Sequence, residues 1–299
     1  MRFDSYHPVI NLLYFASAIF CMVNFQHPVY LGISYLAAFL YSVKLNGKRS
    51  LIFNLCLIPL IVVYAGYYAY YNHFGITNLR ANFIGNQITL EALVSGGVRG
   101  MTIAAVIMMF SCIFAVVSSD KVVYLFGRIS PKLSLFLSIL LRFVPRVKKR
   151  GAKIELSRRG IGKGCAQGNP LQRLSHCFSF LSILITWTLE DFVESAASMK
   201  CRGYSLRGRT AFSIYRFDNR DRSFVVAVFF CLTITAMAAA FNQTNIIYSP
   251  EIIMNRMTPV SYLFYLVYAV LLLMPMILQI IGEWKFRKRD ENPHRNAAL

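Results

Sequence analysis

Charge is scarce in this sequence, and acidic charge is scarcest. Only 15% of its 299 residues are charged, and Asp and Glu together number 13. Soluble domains carry about a quarter charged residues. With 56% hydrophobic residues and a mean hydropathy of +0.49, the composition excludes an ordinary soluble domain. Several apolar runs of near-spanning length point the same way, because a soluble core alternates apolar with polar positions.

Other absences narrow the chemistry. The seven cysteines, Cys21, Cys56, Cys112, Cys165, Cys177, Cys201 and Cys231, include no CxxC pair, so neither a zinc site nor a disulfide framework is implied. At least four lie in apolar segments, where a thiol behaves as a small hydrophobe. No Walker phosphate loop and no HExxH motif is present, so the chain is expected to hydrolyse no ATP alone. No internal repeat supports an inverted-repeat transporter. No span between residues 9 and 241 carries a charge at its centre, which argues against an ion channel. Residues 1–8 lack a short apolar core with a cleavage site, so no secretory signal is expected.

What is present is apolar spans separated by basic loops. Spans are expected over residues 9–25, 29–43, 51–71, 101–117, 224–241 and 259–281. The first two are short and read as a tilted or partly interfacial hairpin around Gln26-His-Pro28. Tyr64, Tyr67, Tyr68, Tyr70 and Tyr71 close the third span as an aromatic belt. Two further apolar runs, residues 133–141 and 178–189, are too short to cross. The first reads as a helix along the membrane surface, the second as a helix packed against protein or the interface. The expectation is an all-α integral membrane protein with about six transmembrane helices.

The net charge of +19 comes from 32 Lys and Arg against 13 acids. Such an excess can signal nucleic acid, but here the bases fall between apolar runs, as cytoplasmic loops do. Loops after spans two, four and six are basic, and those after spans three and five nearly lack Lys and Arg. Both termini are therefore expected in the cytoplasm, with no nucleic-acid partner.

The longest basic stretch runs from Pro145 to Arg209. Residues 142–222 hold 17 Lys or Arg and 6 Asp or Glu. It carries two signatures, Glu155-Leu-Ser-Arg-Arg-Gly160 and Ser198-Met-Lys-Cys-Arg-Gly-Tyr204. Residues 147–159 read as helix, with Glu155 and Arg159 paired at i, i+4. Gly160, Gly162, Gly164 and Gly168 end it, and Pro170 starts the next element. Residues 172–202 read as a second helix. Leu174, Phe178, Leu181 and Ile185 share one face, and Phe192, Ala196, Met199 and Gly203 another. Arg202 lies near the helix end, where a cation complements the helix dipole. Arg207 and Arg209 follow in a Gly-punctuated loop. The bland alternative is that each Arg-Gly only caps its helix.

Glu190, Asp191 and Glu194 share a helix face and could serve a membrane-embedded enzyme as metal or acid-base carboxylates. His176 is fourteen residues before Glu190, off ligand spacing, and a solvated helix face is the preferred reading. Glu194-Ser-Ala-Ala197 is faintly similar to the Glu-Ala-Ala loop of a conventional ABC importer permease. The Gly and Leu-Pro that follow that loop are absent here.

On these motifs the chain resembles the transmembrane T component of energy-coupling factor (ECF) transporters, a branch of the ABC importers. Cys201-Arg202-Gly203, followed by Tyr204, is similar to the family's second Ala-Arg-Gly-type motif, and Arg158-Arg159-Gly160 to its first. Leu141-Arg-Phe-Val-Pro145 resembles the stretch before the first coupling helix. His7-Pro8 and the order of spans also fit, so the resemblance covers nearly the whole chain. Three departures stand out: Arg158 and Cys201 where the family has small residues, and a charged tail after the sixth span.

The resemblance implies long cytoplasmic coupling helices and a division into four regions. These are residues 1–144 (spans 1–4 and the interfacial helix), 145–222 (coupling helices), 223–283 (spans 5–6) and 284–299 (tail). It implies that Arg159 and Arg202 are each received by a groove on one of two ABC ATPase subunits, with Arg158, Gly160, Cys201 and Gly203 completing the two motifs. Guanidinium suits the role, having five donors in a fixed fork and a charge that never titrates. ATP would be bound by the partner subunits, with no cofactor in this chain. A substrate-binding S component, a small membrane protein, would dock against the apolar face, for uptake of a vitamin or a metal ion such as cobalt. The setting implied is a prokaryotic plasma membrane.

Overall fold

The computed structural model describes residues 3–72, 74–81, 87–204, 215, 217–244, 246, 248 and 258–290. Arg207, Arg209, Arg216 and the end of the tail, 291–299, lie outside the described residues. So does most of the expected loop between the fifth and sixth spans. A 3-10 turn, Phe3–Ser5, precedes nine helices among the described residues. They are α1 (Pro8–Asn24), α2 (Pro28–Asn46), α3 (Lys48–Tyr71), α4 (Leu90–Val116), α5 (Ser119–Ile129), α6 (Pro131–Gly160), α7 (Pro170–Cys201), α8 (Asn219–Ala240) and α9 (Pro259–Asp290). Between α3 and α4, β1 (Asn78–Ala81) and β2 (Gln87–Thr89) pair antiparallel. The chain divides into two units, Met1–Ser118 with Tyr215–Leu299, and Ser119–Ile214.

Local sequence explains the helix starts. His7-Pro8 and His27-Pro28 repeat one device: proline at the first helical position, and the histidine Nδ1 accepting the N–H of Val9 or Val29, each at 3.3 Å. Proline there loses only an N–H that had no intrahelical partner. Thr89 caps α4 by accepting the Ala92 N–H at 3.4 Å. At the start of α7 the Gln172 side chain reaches back to the Asn169 N–H at 3.1 Å, half of a capping box.

The first unit holds the core. α4 packs against α1, α2 and α3, and α9 against α2 and α8. Gly96 and Gly100 let α4 approach α3. A Cβ at Gly96 would stand 2.9 Å from the Tyr68 Cβ and 3.0 Å from the Ala65 oxygen; one at Gly100 would stand 3.2 Å from the Ile61 oxygen. Small residues one turn apart permit such backbone contact between apolar helices. Tyr14, Tyr30, Tyr41 and Tyr268 are fully buried. Two of their hydroxyls tie helices together: Tyr14 donates to the Leu272 carbonyl at 2.9 Å, and Ser34 Oγ and Tyr268 OH share a 2.6 Å hydrogen bond. Lys44 and Glu283 pair at 2.7 Å, joining α2 to α9.

The all-α membrane class expected from the sequence is what the structure shows. Among the described residues five helices, α2, α3, α4, α8 and α9, are long and apolar enough to cross a membrane. α1 has 17 residues, roughly 25 Å at 1.5 Å per residue, short of a hydrocarbon core of about 30 Å. α4 starts at Leu90 rather than near residue 101, because the Thr89 cap and the glycine contact with α3 continue the helix through Glu91 and Arg99. α9 runs through the basic segment to Asp290. The two helices expected on either side of Pro145 are one, α6, with Pro145 inside it.

Candidate functional site: a helical hairpin with an arginine at each end

In the second unit α6 and α7 form an antiparallel hairpin. Phe143 stacks on Phe192, with ring centroids 4.7 Å apart. One turn on, Asp191 receives two guanidinium groups, an ion pair with Arg150 and another with Arg146 at 3.8 Å. Arg150 also donates to the Trp187 carbonyl at 3.1 Å. Gly151 faces Phe180. Nearest the loop, Arg158 Nη2 donates to the His176 carbonyl at 3.3 Å. Arg146 and Arg150 are one turn apart on α6, so one carboxylate on α7 can hold both.

The two ends of the hairpin stop in the same way. At the end of α6, Gly162 takes a left-handed φ of 73°; its N–H bonds to the Arg159 carbonyl at 3.1 Å and that of Lys163 to the Arg158 carbonyl at 2.9 Å. At the end of α7, Gly203 also has φ 73°; its N–H bonds to the Lys200 carbonyl at 3.0 Å and that of Tyr204 to the Met199 carbonyl at 3.2 Å. Both are Schellman motifs. The capping glycine differs in its place, however. Gly203 follows Arg202 directly, so in the second signature the Arg-Gly does cap the helix. In the first signature Gly162 caps, and Gly160 is left over: it is helical and exposed, and a Cβ on it would meet nothing within 4 Å.

The two arginines of the first signature have different surroundings. Arg158 is turned into the loop, donating to the Lys163 carbonyl at 3.2 Å as well as to His176. Its place in a position where small residues are expected is thus explained by two backbone carbonyls it ties together. Arg159 donates to Glu155 Oε1 at 3.0 Å, as the i, i+4 spacing suggests, and its side chain is 60% exposed. Gly164 makes room for it: a Cβ there would stand 2.7 Å from the Arg159 Cγ. Cys201 and Arg202 are exposed, and the Arg202 guanidinium has no partner among the described residues.

Glu155 organises the loop. Its carboxylate accepts Arg159 Nε and the Cys165 N–H at 3.2 Å. Hydrogen bonds from Cys165 and Arg159 hold it below the ordinary glutamate range. Burial, the Glu155 carboxylate and the neighbouring Cys177 thiol push the Cys165 thiol up to about 11.

Arg159 is level with His176 on α7, and Arg202 lies 26 residues further on, roughly 40 Å at the helical rise. The hairpin brings Arg158, Arg159 and Gly160 together at one end and Cys201, Arg202 and Gly203 at the other. α7 has no buried residue. Leu174, Phe178, Leu181 and Ile185, the face expected to pack, are exposed together.

Among the acidic trio Asp191 is not on a solvated face. It is the clamp of the hairpin, while Glu190 and Glu194 are exposed. The clamp was hidden in the sequence because its partners lie 41 and 45 positions away on another helix. Among the described residues no group of three His, Cys, Asp or Glu side chains could hold a metal ion.

The class these features define is an all-α integral membrane protein that also presents a charged helical hairpin. No protein-family model matches the chain. Over 111 residues it is 32% identical to the energy-coupling factor transporter transmembrane protein EcfT of Bacillus selenitireducens. The match spans 37% of this chain and 41% of the relative's length. The resemblance read from the arginine motifs is therefore met by an alignment over part of the chain.

Proposed function

We propose that this chain is the transmembrane coupling component of an energy-coupling factor importer. The observation that carries the reading is the pair of arginines, Arg159 and Arg202, presented at opposite ends of one clamped hairpin. Two separated grips suit two ATPase subunits, one groove for each guanidinium. The similarity to EcfT supports the same reading.

In this mechanism the partner subunits bind ATP and move the hairpin ends. α6 and α7, tied by Asp191, carry that motion as a unit. The region 145–222 is the coupling region, with the membrane regions 1–144 and 223–283 on either side of it and the tail 284–299 beyond. The exposed apolar face of α7 receives an S component, which binds the vitamin or metal ion. This chain binds no substrate, performs no catalysis and holds no cofactor. Both termini and the hairpin lie in the cytoplasm of a prokaryote, following the basic loops.

The test is copurification of the ATPases, and substrate uptake, for Arg159→Glu and Arg202→Glu. Truncating one side of a buried hydrogen-bonded charge pair costs ~2–5 kcal/mol, and sign reversal costs at least that. Each ~1.4 kcal/mol is tenfold in affinity, so each variant loses the complex in a pull-down. Exposed Lys149→Glu is the control, since surface ion pairs contribute only ~0–1 kcal/mol. Retention of both activities at the control's level in both arginine variants would sink the reading.

A further inference from the structure

The loop between α6 and α7 brings two thiols together. Cys165 and Cys177 are twelve positions apart in sequence, yet the backbone near each is drawn to one guanidinium, that of Arg158, and the Cys177 thiol helps to raise that of Cys165. Three features hold them there. The left-handed turn at Gly162 reverses the chain. Glu155 grips the Cys165 N–H. Arg158 bonds the carbonyls of Lys163 and of His176, the residue before Cys177, with one guanidinium. Both cysteines are free; Cys177 is exposed and Cys165 half-buried. Cys21, Cys112 and Cys231 are buried in the other unit, and Cys201 is exposed at the far end of α7.

We propose that Cys165 and Cys177 are a modification site, a dithiol that closes reversibly to an intramolecular disulfide by exchange with a low-molecular-weight disulfide, RSSR. Exposed Cys177 reacts first. As thiolate it attacks one sulfur of RSSR, the S–S bond breaks, and the departing RS⁻ takes up a proton to leave as RSH. Cys165 then loses its proton to solvent and, as thiolate, attacks the Cys177 sulfur of the mixed disulfide. The second RS⁻ leaves and is protonated. The sum is two protein thiols plus RSSR giving one protein disulfide plus two RSH, with two electrons passing from the dithiol to RSSR. The raised thiol pKa of Cys165 makes it the slower, resolving partner, since exchange needs the thiolate. In a reducing compartment such a pair is a reversible sensor rather than a structural staple. Closure removes the Cys165 thiol from Glu155 and fixes the loop on which the Arg159 stem lies.

The site stands independently of the coupling role, because its readout is chemical. The full chain in lipid nanodiscs is incubated with oxidised glutathione over a series of redox ratios. Remaining thiols are trapped with a maleimide and mapped by peptide mass spectrometry. The expected result is simultaneous loss of both thiols and a peptide pair joined through Cys165 and Cys177. In Cys165→Ser the reaction stops at a glutathione adduct on Cys177, and in Cys177→Ser the Cys165 thiol stays alkylable. Two results would overturn the proposal. One is a wild-type chain that accumulates the Cys177 adduct with Cys165 still alkylable. The other is both thiols remaining free at a ratio where exposed Cys201 is already modified.

Discussion

In the unit that contains the apolar bundle, four tyrosines are fully buried and glycines of α4 lie against the backbone of α3. In Ser119–Ile214, Ile154 is the one hydrophobic residue buried among the described residues. Both units expose large apolar side chains, but on different helices. Phe114 and Val63 project from helices long and apolar enough to cross a bilayer, where lipid covers them. Leu171, Phe178 and Val193 project from α7, which also carries Arg173, Glu190, Asp191, Glu194 and Lys200. Lipid completes the first unit. The second is held by ion pairs, carbonyl contacts and caps, and its apolar face is exposed, as patches that meet protein or membrane are.

The largest effect is expected where the bundle is tightest. Gly96→Val places a branched side chain where even a Cβ meets Tyr68 and Ala65. Overpacking of this kind costs ~1–3 kcal/mol, sometimes more. Thermal unfolding in detergent should shift downward for this variant. An equal shift for Gly160→Val would break the comparison, because nothing surrounds Gly160.

Asp191→Asn tests the other kind of cohesion. It leaves Arg146 and Arg150 facing a neutral amide. Hydrogen bonds to charged groups contribute about 1.5–3 kcal/mol, reduced here by partial exposure. Hydrogen exchange should rise in α6 and α7 and stay unchanged in α3 and α4. A uniform rise across both units would show that the hairpin is not held separately.

The bundle was more legible in the sequence than the hairpin, for a physical reason. Spans are written in continuous apolar runs, and caps such as His27-Pro28 in adjacent residues. The start of α4 is hidden in the sequence because the apolar run begins only near residue 101; the glycine contact that continues the helix involves residues of α3. In the hairpin, the Glu155–Arg159 pair was legible because i, i+4 is a helical neighbour relation. The inward turn of Arg158 and the clamp on Asp191 depend on which residues the loop brings opposite one another. No spacing within one helix reports that. The role of Gly162 as the capping glycine of the first signature was likewise hidden among four glycines that could each end a helix.

A smaller effect is expected from acid. Glu155 titrates lower in the folded chain than in the unfolded one, because Cys165 and Arg159 bond its carboxylate. The unfolded chain therefore takes up the proton first as pH falls. The stabilisation is complete above the unfolded pKa and is lost as pH drops through the folded one. Exchange protection of the Cys165 N–H should fall through that window in wild type. In Glu155→Gln it should be low and flat at every pH.

The finest distinction lies between two glycines that the signatures make look equivalent. Gly203 has a left-handed φ of 73° and closes the Schellman motif of α7. Alanine there meets the steric cost of that conformation, ~1–2 kcal/mol. Gly160 is in the last turn of α6 with open space around it. Alanine there gains helix propensity, up to ~1 kcal/mol and less at a helix end. In the isolated chain, Gly203→Ala should therefore loosen the end of α7, and Gly160→Ala should leave the end of α6 as firm or firmer. If ATPases receive both ends, the order changes in the complex. Gly160→Ala should weaken assembly without weakening the fold, because the space its missing side chain leaves is the space a partner backbone fills. The measurement pairs hydrogen exchange on the free chain with ATPase copurification for each variant. Normal assembly with Gly160→Ala would mean that no partner approaches Gly160 closely, and the grip at that end would then rest on Arg159 alone.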